Sequence, residues 1–475
     1  MSLAQNHDGD NTLCKLDTRL SISPETLLTT VEVQDSSKPS FFTKPAEKLA
    51  HLDSLRGIAA LWVWFIHFVP YISKSLLPFL LGYQKWNASV SIFFILSGRV
   101  ISLSVLKSGN VRQLVSCVIR RPFRLGLPVI SIMMMDYFVF KNYKISSFSE
   151  TILTPIWFLF DNSMRPSNIT YSVWTISYEY QYSNMLYALT LVIMQFPQAD
   201  STRYVILGLA YLWFQITHNW MSHFVAGLFL ADLSLHGYLN RFRQWKFSTL
   251  VQIGAFLLSV VIAFDYSFLP YSVLIDKFVC ANLYQNGKQG VTNSGWKESF
   301  VVFVFCFTVM FCIETSTWLQ RFFSHRIFIF LGRISFTLYL LHVYWLNVFA
   351  LKFNNYIKVV FVDCPELGVC VSFVTSTCLL TLVSYLLIPI IDTPSIWAGK
   401  WVERALTEEW TVAGILTWWK QLPRSLLGYV QFVLKEWYTV IMWAVGLFTW
   451  MAEVQKVYIF KYFFTTSKYS KVDAS

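Results

Sequence analysis

Leu367–Ile391 reads LGVCVSFVTSTCLLTLVSYLLIPII, 25 residues in a row without a charge. The hydrocarbon core of a bilayer takes about 20 apolar residues in helical form, and a run above about 18 marks a membrane helix. Nine further stretches read the same way, several of them shorter. The expected spans are 57–73, 88–106, 125–140, 173–195, 203–217, 223–235, 248–266, 298–313, 327–351 and 367–391. The fold class that follows is an all-α polytopic membrane protein of about ten transmembrane helices. No repeat of fixed period relates one half to the other.

The composition agrees. Of 475 residues, 55% are apolar, 18% aromatic and 14% charged, against about 25% charged in an ordinary soluble domain. A disordered chain needs the opposite balance. The net charge of +11 gathers at the ends of apolar runs, which is a membrane-orientation pattern rather than a nucleic-acid footprint. The expected partner is the lipid bilayer, with no nucleic acid. The eight Cys, at 14, 117, 280, 306, 312, 364, 370 and 378, form no C-x-x-C pair and have no His at zinc spacing, so no metal site is expected. They read as small hydrophobes, with Cys364 and Cys370 able to pair only on an oxidising side.

Loop charges set the orientation. Segment 107–124 carries Lys107, Arg112, Arg120, Arg121 and Arg124, and segment 236–247 carries Arg241, Arg243 and Lys246, with no acid in either. Both are expected in the cytosol. Ten spans then leave both termini cytosolic and place the sequons Asn87-Ala88-Ser89 and Asn168-Ile169-Thr170 on the lumenal side, as glycosylation requires. Residues 1–50 are polar without an apolar h-region, so they read as a cytosolic, disordered tail and the first span as the insertion signal. Residues 392–475 hold 8 of the 19 Trp and read as amphipathic, Trp-rich helices lying in the interface. An eleventh span over 437–451 is cut short by Lys435 and Glu436.

Ionisable groups inside spans need a reason. Arg56 and His67 are eleven positions apart, close to three helical turns, so they share one stripe roughly 16 Å long. Read singly, Arg56 is a snorkelling end residue and His67 a polar link between helices. Read together, they form a path from an anion at the surface to a proton-transfer group inside. Arg121 and Arg124 share a helix face, with Pro122 suited to a first turn. They read either as orientation anchors or as a phosphate clamp. Glu179, in Trp174-Thr175-Ile176-Ser177-Tyr178-Glu179, reads as a structural hydrogen bond or as a partner that fixes His67. Arg333 and His342 mark the ninth span.

These stretches carry a resemblance. Leu52-Asp53-Ser54-Leu55-Arg56-Gly57 with His67 resembles the first helix of the acyltransferase 3 family of integral-membrane acyltransferases. Phe93-Phe94-Ile95-Leu96-Ser97-Gly98 is similar to its second-helix motif. Arg121-Pro122-Phe123-Arg124 is similar to its R-x-x-R motif, and Trp174 to Glu179 to its W-x-x-S-x-E pattern. Ile334 to His342 resembles its late helix. The domains expected are a tail (1–50), an acyltransferase 3-like transmembrane domain (51–391) and C-terminal interfacial helices (392–475). The polar tail and Trp-rich end look like fungal members.

The resemblance implies transfer of an acyl group, often acetyl, from acyl-CoA as co-substrate to a hydroxyl, with no further cofactor. It implies Arg56, Arg121 and Arg124 as acyl-CoA contacts and His67 with Glu179 as the catalytic pair. His67 is a general base or the site of an acyl-histidine intermediate. Arg99, Trp174 and His342 are further candidates. Arg99 departs from the family pattern and reads as a donor contact or a snorkelling residue. The acceptor expected is a small hydroxylated metabolite of terpenoid or polyketide type, in the endoplasmic reticulum or another internal membrane. A glycan or lipid acceptor is the alternative. A transporter or lipid-flipping protein is the rival from another class, since transport paths also use intramembrane charges.

Overall fold

The computed structural model of the chain describes residues 50–72, 88–140, 148–160, 173–197, 200–217, 219–264, 300–362, 364–407 and 431. Among these there are helices and turns and no strand. The tail before Ala50, Asn87, the whole sequon at 168–170, and residues 408–430 and 432–475 of the Trp-rich end lie outside the described residues.

The helices, in chain order, are α1 (Ala50–Ile72), α2 (Ala88–Ser108), α3 (Val111–Met135), α4 (Phe148–Phe160), α5 (Trp174–Met194), α6 (Ser201–Ile216) and α7 (Met221–Leu235). Then come α8 (Tyr238–Gln244), α9 (Ser248–Phe264), α10 (Phe300–Thr315), α11 (Thr317–Phe323), α12 (Arg326–Trp345), α13 (Leu351–Val360) and α14 (Pro365–Thr407). Single π turns, Asp136–Phe140 and Leu346–Ala350, follow α3 and α12.

Every expected span overlaps a helix. By length and apolarity, three described helices suffice to cross a membrane: 88–108, 326–360 and 365–406. The number rises to five if the bent pairs α8–α9 (104°) and α10–α11 (99°) each count once. The others are short, like α7 at 15 residues, or more polar, like α3 with its four Arg. The outer faces of α6 and α9 present Leu209, Trp213, Leu250 and Leu258 outward, as a surface against lipid does.

Two boundaries differ from expectation. The third span was expected from 125, but α3 starts at Val111. Gly109 ends α2 in the left-handed region (φ 62°), and the Asn110 side chain accepts from Arg112 N at 2.8 Å. A glycine stop and an asparagine cap thus start a new helix inside the basic stretch. Arg121 and Arg124 are therefore well inside α3, and Pro122 is in its interior, not its first turn. At the other end, α14 passes through 391 to Thr407. The short α4, which runs through Pro155, was not expected.

Helices in lipid gain little from the hydrophobic effect, so close backbone approach carries their association. The α1–α12, α2–α7 and α3–α14 contacts are the most extensive ones, and each has glycine at its crossing. A Cβ on Gly57 would collide with the Leu331–Gly332 backbone, and one on Gly332 with Asp53. Gly98 and Gly227 face the backbones of Phe224 and Ile95–Arg99 in the same way. Gly399 lies over Arg120, where a Cβ would sit 3.2 Å from the backbone oxygen.

Buried ion pairs add to this. Arg99, 2% exposed, forms a fork with Glu314 at 2.9 and 3.3 Å, joining α2 to α10. Arg203 joins α6 to α7 through Asp232 and donates to the Ile193 and Phe196 carbonyls, at 3.0 Å each. Cys364 and Cys370 are exposed free thiols. Cys364 precedes the first residue of α14 and Cys370 lies within it.

Candidate active site

The Gly57–Gly332 crossing brings α1 and α12 together at one end, and further along the same contact His67 meets His342. Their ring centroids are 4.9 Å apart, edge to face at 66°. Each ring is also held by its own helix. His67 Nδ1 lies 2.8 Å from the Val63 carbonyl oxygen and His342 Nδ1 2.5 Å from that of Tyr339. A carbonyl only accepts, so in each neutral ring Nδ1 carries the hydrogen and Nε2 the lone pair. His67 is half-buried and His342 fully buried.

Tyr339 is fixed in turn. Its hydroxyl is 2.7 Å from Thr175 Oγ1 on α5, and its ring packs on Phe93 and His342. Thr175 lies one turn before Glu179 on α5. Trp64 Nε1 donates to Thr377 Oγ1 at 2.9 Å, tying α1 to α14 beside the imidazoles.

The arginines form the other half. Arg121 Nη2 donates to Glu179 Oε1 at 2.9 Å, and Ser97 Oγ donates to the same oxygen at 2.8 Å. Arg124 is exposed, yet Asp392, Arg56, Arg121 and Glu179 all act on its charge. Arg56 lies 3.6 Å from Asp53, one turn back on α1. Three guanidiniums from α1 and α3 therefore share one neighbourhood with carboxylates from α5 and α14. Arg121 Nε is buried without a hydrogen-bond partner, a spare donor in a group that suits phosphate oxygens.

Two expectations change here. Glu179 was read either as a structural hydrogen bond to another helix or as a partner of His67; the bonds it makes are to Arg121 and Ser97 on neighbouring helices, because α3 reaches far enough to set a full positive charge beside it. Arg99 was read as a donor contact or a snorkelling residue; its pairing with Glu314 buries it between α2 and α10. Trp174 packs between two apolar clusters, its ring 5.6 Å from Tyr178 and 6.3 Å from Trp220. Arg333 is exposed on α12. Among the described residues no group of three or more His, Cys, Asp or Glu is placed to hold a metal ion.

The sequence reading passed over Asp392. The signal was present, since it is the first charge after the uncharged run Leu367–Ile391. It was assigned to an interfacial segment because the helix was expected to stop there.

The model of the acyltransferase domain family Acyl_transf_3 matches residues 49–391, well over half of the chain. The chain belongs to the acyltransferase 3 family. No curated protein matches it. No solved structure matches it either. Within this acyltransferase, Arg56, His67, Arg121, Arg124, Glu179 and His342 all fall inside the matched residues, and Asp392 falls one position past their end. The acyltransferase 3 domain match and the apolar helices together make this a membrane acyltransferase.

Proposed function

We propose that the chain is an acyl-CoA-dependent O-acyltransferase, with acetyl-CoA as donor and a small hydroxylated metabolite as acceptor. CoA phosphates dock on Arg56, Arg121 and Arg124. Glu179 holds Arg121 in place, and Asp392 faces Arg56 and Arg124. The thioester extends along α1 toward His67. There His67 Nε2 takes the proton of the acceptor hydroxyl as its oxygen attacks the thioester carbonyl carbon. The C–S bond breaks, and the thiolate leaves with that proton as CoA.

The observation that carries this reading is the base-competent ring of His67 on the same helix as Arg56, inside a matched acyltransferase domain. Resemblance to fungal members supports a terpenoid or polyketide alcohol as acceptor, and an internal membrane such as the endoplasmic reticulum, with both termini cytosolic. Purified protein given acetyl-CoA and such an alcohol should release free CoA only when both are present. No release with any acyl-CoA and alcohol, together with solute or lipid movement in proteoliposomes, would move the protein to the transporter class.

A further inference from the structure

His342 holds a buried acceptor with nothing to accept. Its Nδ1–H is committed to the Tyr339 carbonyl. Its Nε2 lone pair is buried and has no hydrogen-bond partner. Native interiors rarely leave such an atom, because its lost hydration goes unreplaced. An apolar side chain of similar size would avoid the cost.

The neighbour it faces is His67, edge to face with ring centroids 4.9 Å apart. His67 is set in the same tautomer by Val63. In the resting pair both Nε2 atoms are therefore acceptors, and neither can serve the other. Proton uptake reverses this. Once His67 Nε2 carries a hydrogen, it becomes a donor on a ring packed against one whose buried Nε2 lacks a donor. The contact is then favourable in the charged state and idle in the neutral one, the differential that lowers a barrier.

We infer that His342 is a positioning residue acting through His67: its Nε2 accepts a hydrogen bond, directly or across one water, from the imidazolium formed during acyl transfer. This rests on the acyl-transfer reading above. Atoms balance without a new reactant. The acceptor proton goes to His67 Nε2, is shared toward His342 Nε2 while the C–O bond forms, and leaves on the thiolate as the C–S bond breaks. The Tyr339 carbonyl fixes the tautomer that makes His342 an acceptor, and Thr175 bonds the hydroxyl of the same residue.

The test compares His342→Gln, which keeps an acceptor oxygen, with His342→Phe, which keeps bulk only, in the full-length protein in nanodiscs. For His342→Phe, kcat should fall about ten- to a hundredfold, as for loss of a hydrogen bond to a charged group. KM for acetyl-CoA should stay within about twofold. His342→Gln should regain part of the lost kcat. Equal kcat in the two variants, or wild-type kcat in His342→Phe, overturns the inference. Should either variant fail to fold, the ¹⁵N imidazole spectrum of the wild type decides, because hydrogen on His342 Nε2 instead of Nδ1 is also fatal. That spectrum reads the imidazole pair even in a protein that releases no CoA, so failure of the acyl-transfer reading is seen separately.

Discussion

A general base must hold its lone pair where the proton leaves, and His67 does so because Val63 occupies its other nitrogen. General-base help is typically worth about 10²–10⁴-fold. His67→Ala should lower kcat by that order while CoA still protects the folded protein in a melting assay. His67→Gln should fold and remain inactive; near-normal turnover there would make His67 a packing residue. Donor binding is tested at Arg121, Arg124 and Glu179. Arg121→Ala and Arg124→Ala should raise acetyl-CoA KM about ten- to a hundredfold, matching roughly 1.5–3 kcal/mol for a charge-assisted hydrogen bond. Lys at either position should restore part, since it lacks the planar fork. Glu179→Gln should raise the same KM and leave acceptor KM unchanged, because its carboxylate grips Arg121. An acceptor KM that moves instead would return Glu179 to the catalytic base. The Arg56–His67 stripe was legible because helical periodicity alone aligns eleven positions. The partner of Glu179 was not, because it depends on where α3 begins.

Among the elements, α2 and α10 depend on one another through a pair that periodicity could not reveal. Arg99 and Glu314 are 215 positions apart, and both are buried. Glu314→Ala strands a buried guanidinium and should destabilise the protein by about 3–5 kcal/mol in a denaturant titration in mixed micelles. Replacing both residues with Met should recover most of that loss, since a buried pair often does no better than an apolar one. A single variant as stable as wild type would show the pair to be solvated. The Arg120–Glu403 contact, 3.2 Å between α3 and α14, is partly exposed, and Glu403→Ala should cost about 1 kcal/mol or less. Helix existence was legible in nearly every segment because apolar runs announce themselves. Helix ends were not, because Gly109 and Asn110 act through backbone angles and one side-chain bond. The polar residues beyond Ile391 hid a helix that continues.

For the molecule as a whole, orientation is the property most open to test. The positive stretches around 107–124 and 236–247 should face the cytosol. A glycan on Asn168 should then be removed by endoglycosidase in the wild type and be missing in Asn168→Gln. Modification of a cysteine placed beside Asn168 by a cytosol-restricted thiol reagent would reverse the topology.

The glycine crossings at Gly57, Gly98, Gly227 and Gly332 have a consequence for heredity as well as for packing. Nearly every missense codon at these four positions puts atoms where a neighbouring backbone already lies. In a saturation-mutagenesis library scored twice, once for cellular abundance and once for turnover per molecule, the two residue classes should separate. The histidine alleles should vanish only from the turnover score. The glycine alleles should vanish from both, beginning with abundance, whereas Gly208 and Gly254, which have open space around them, should accept alanine in either score.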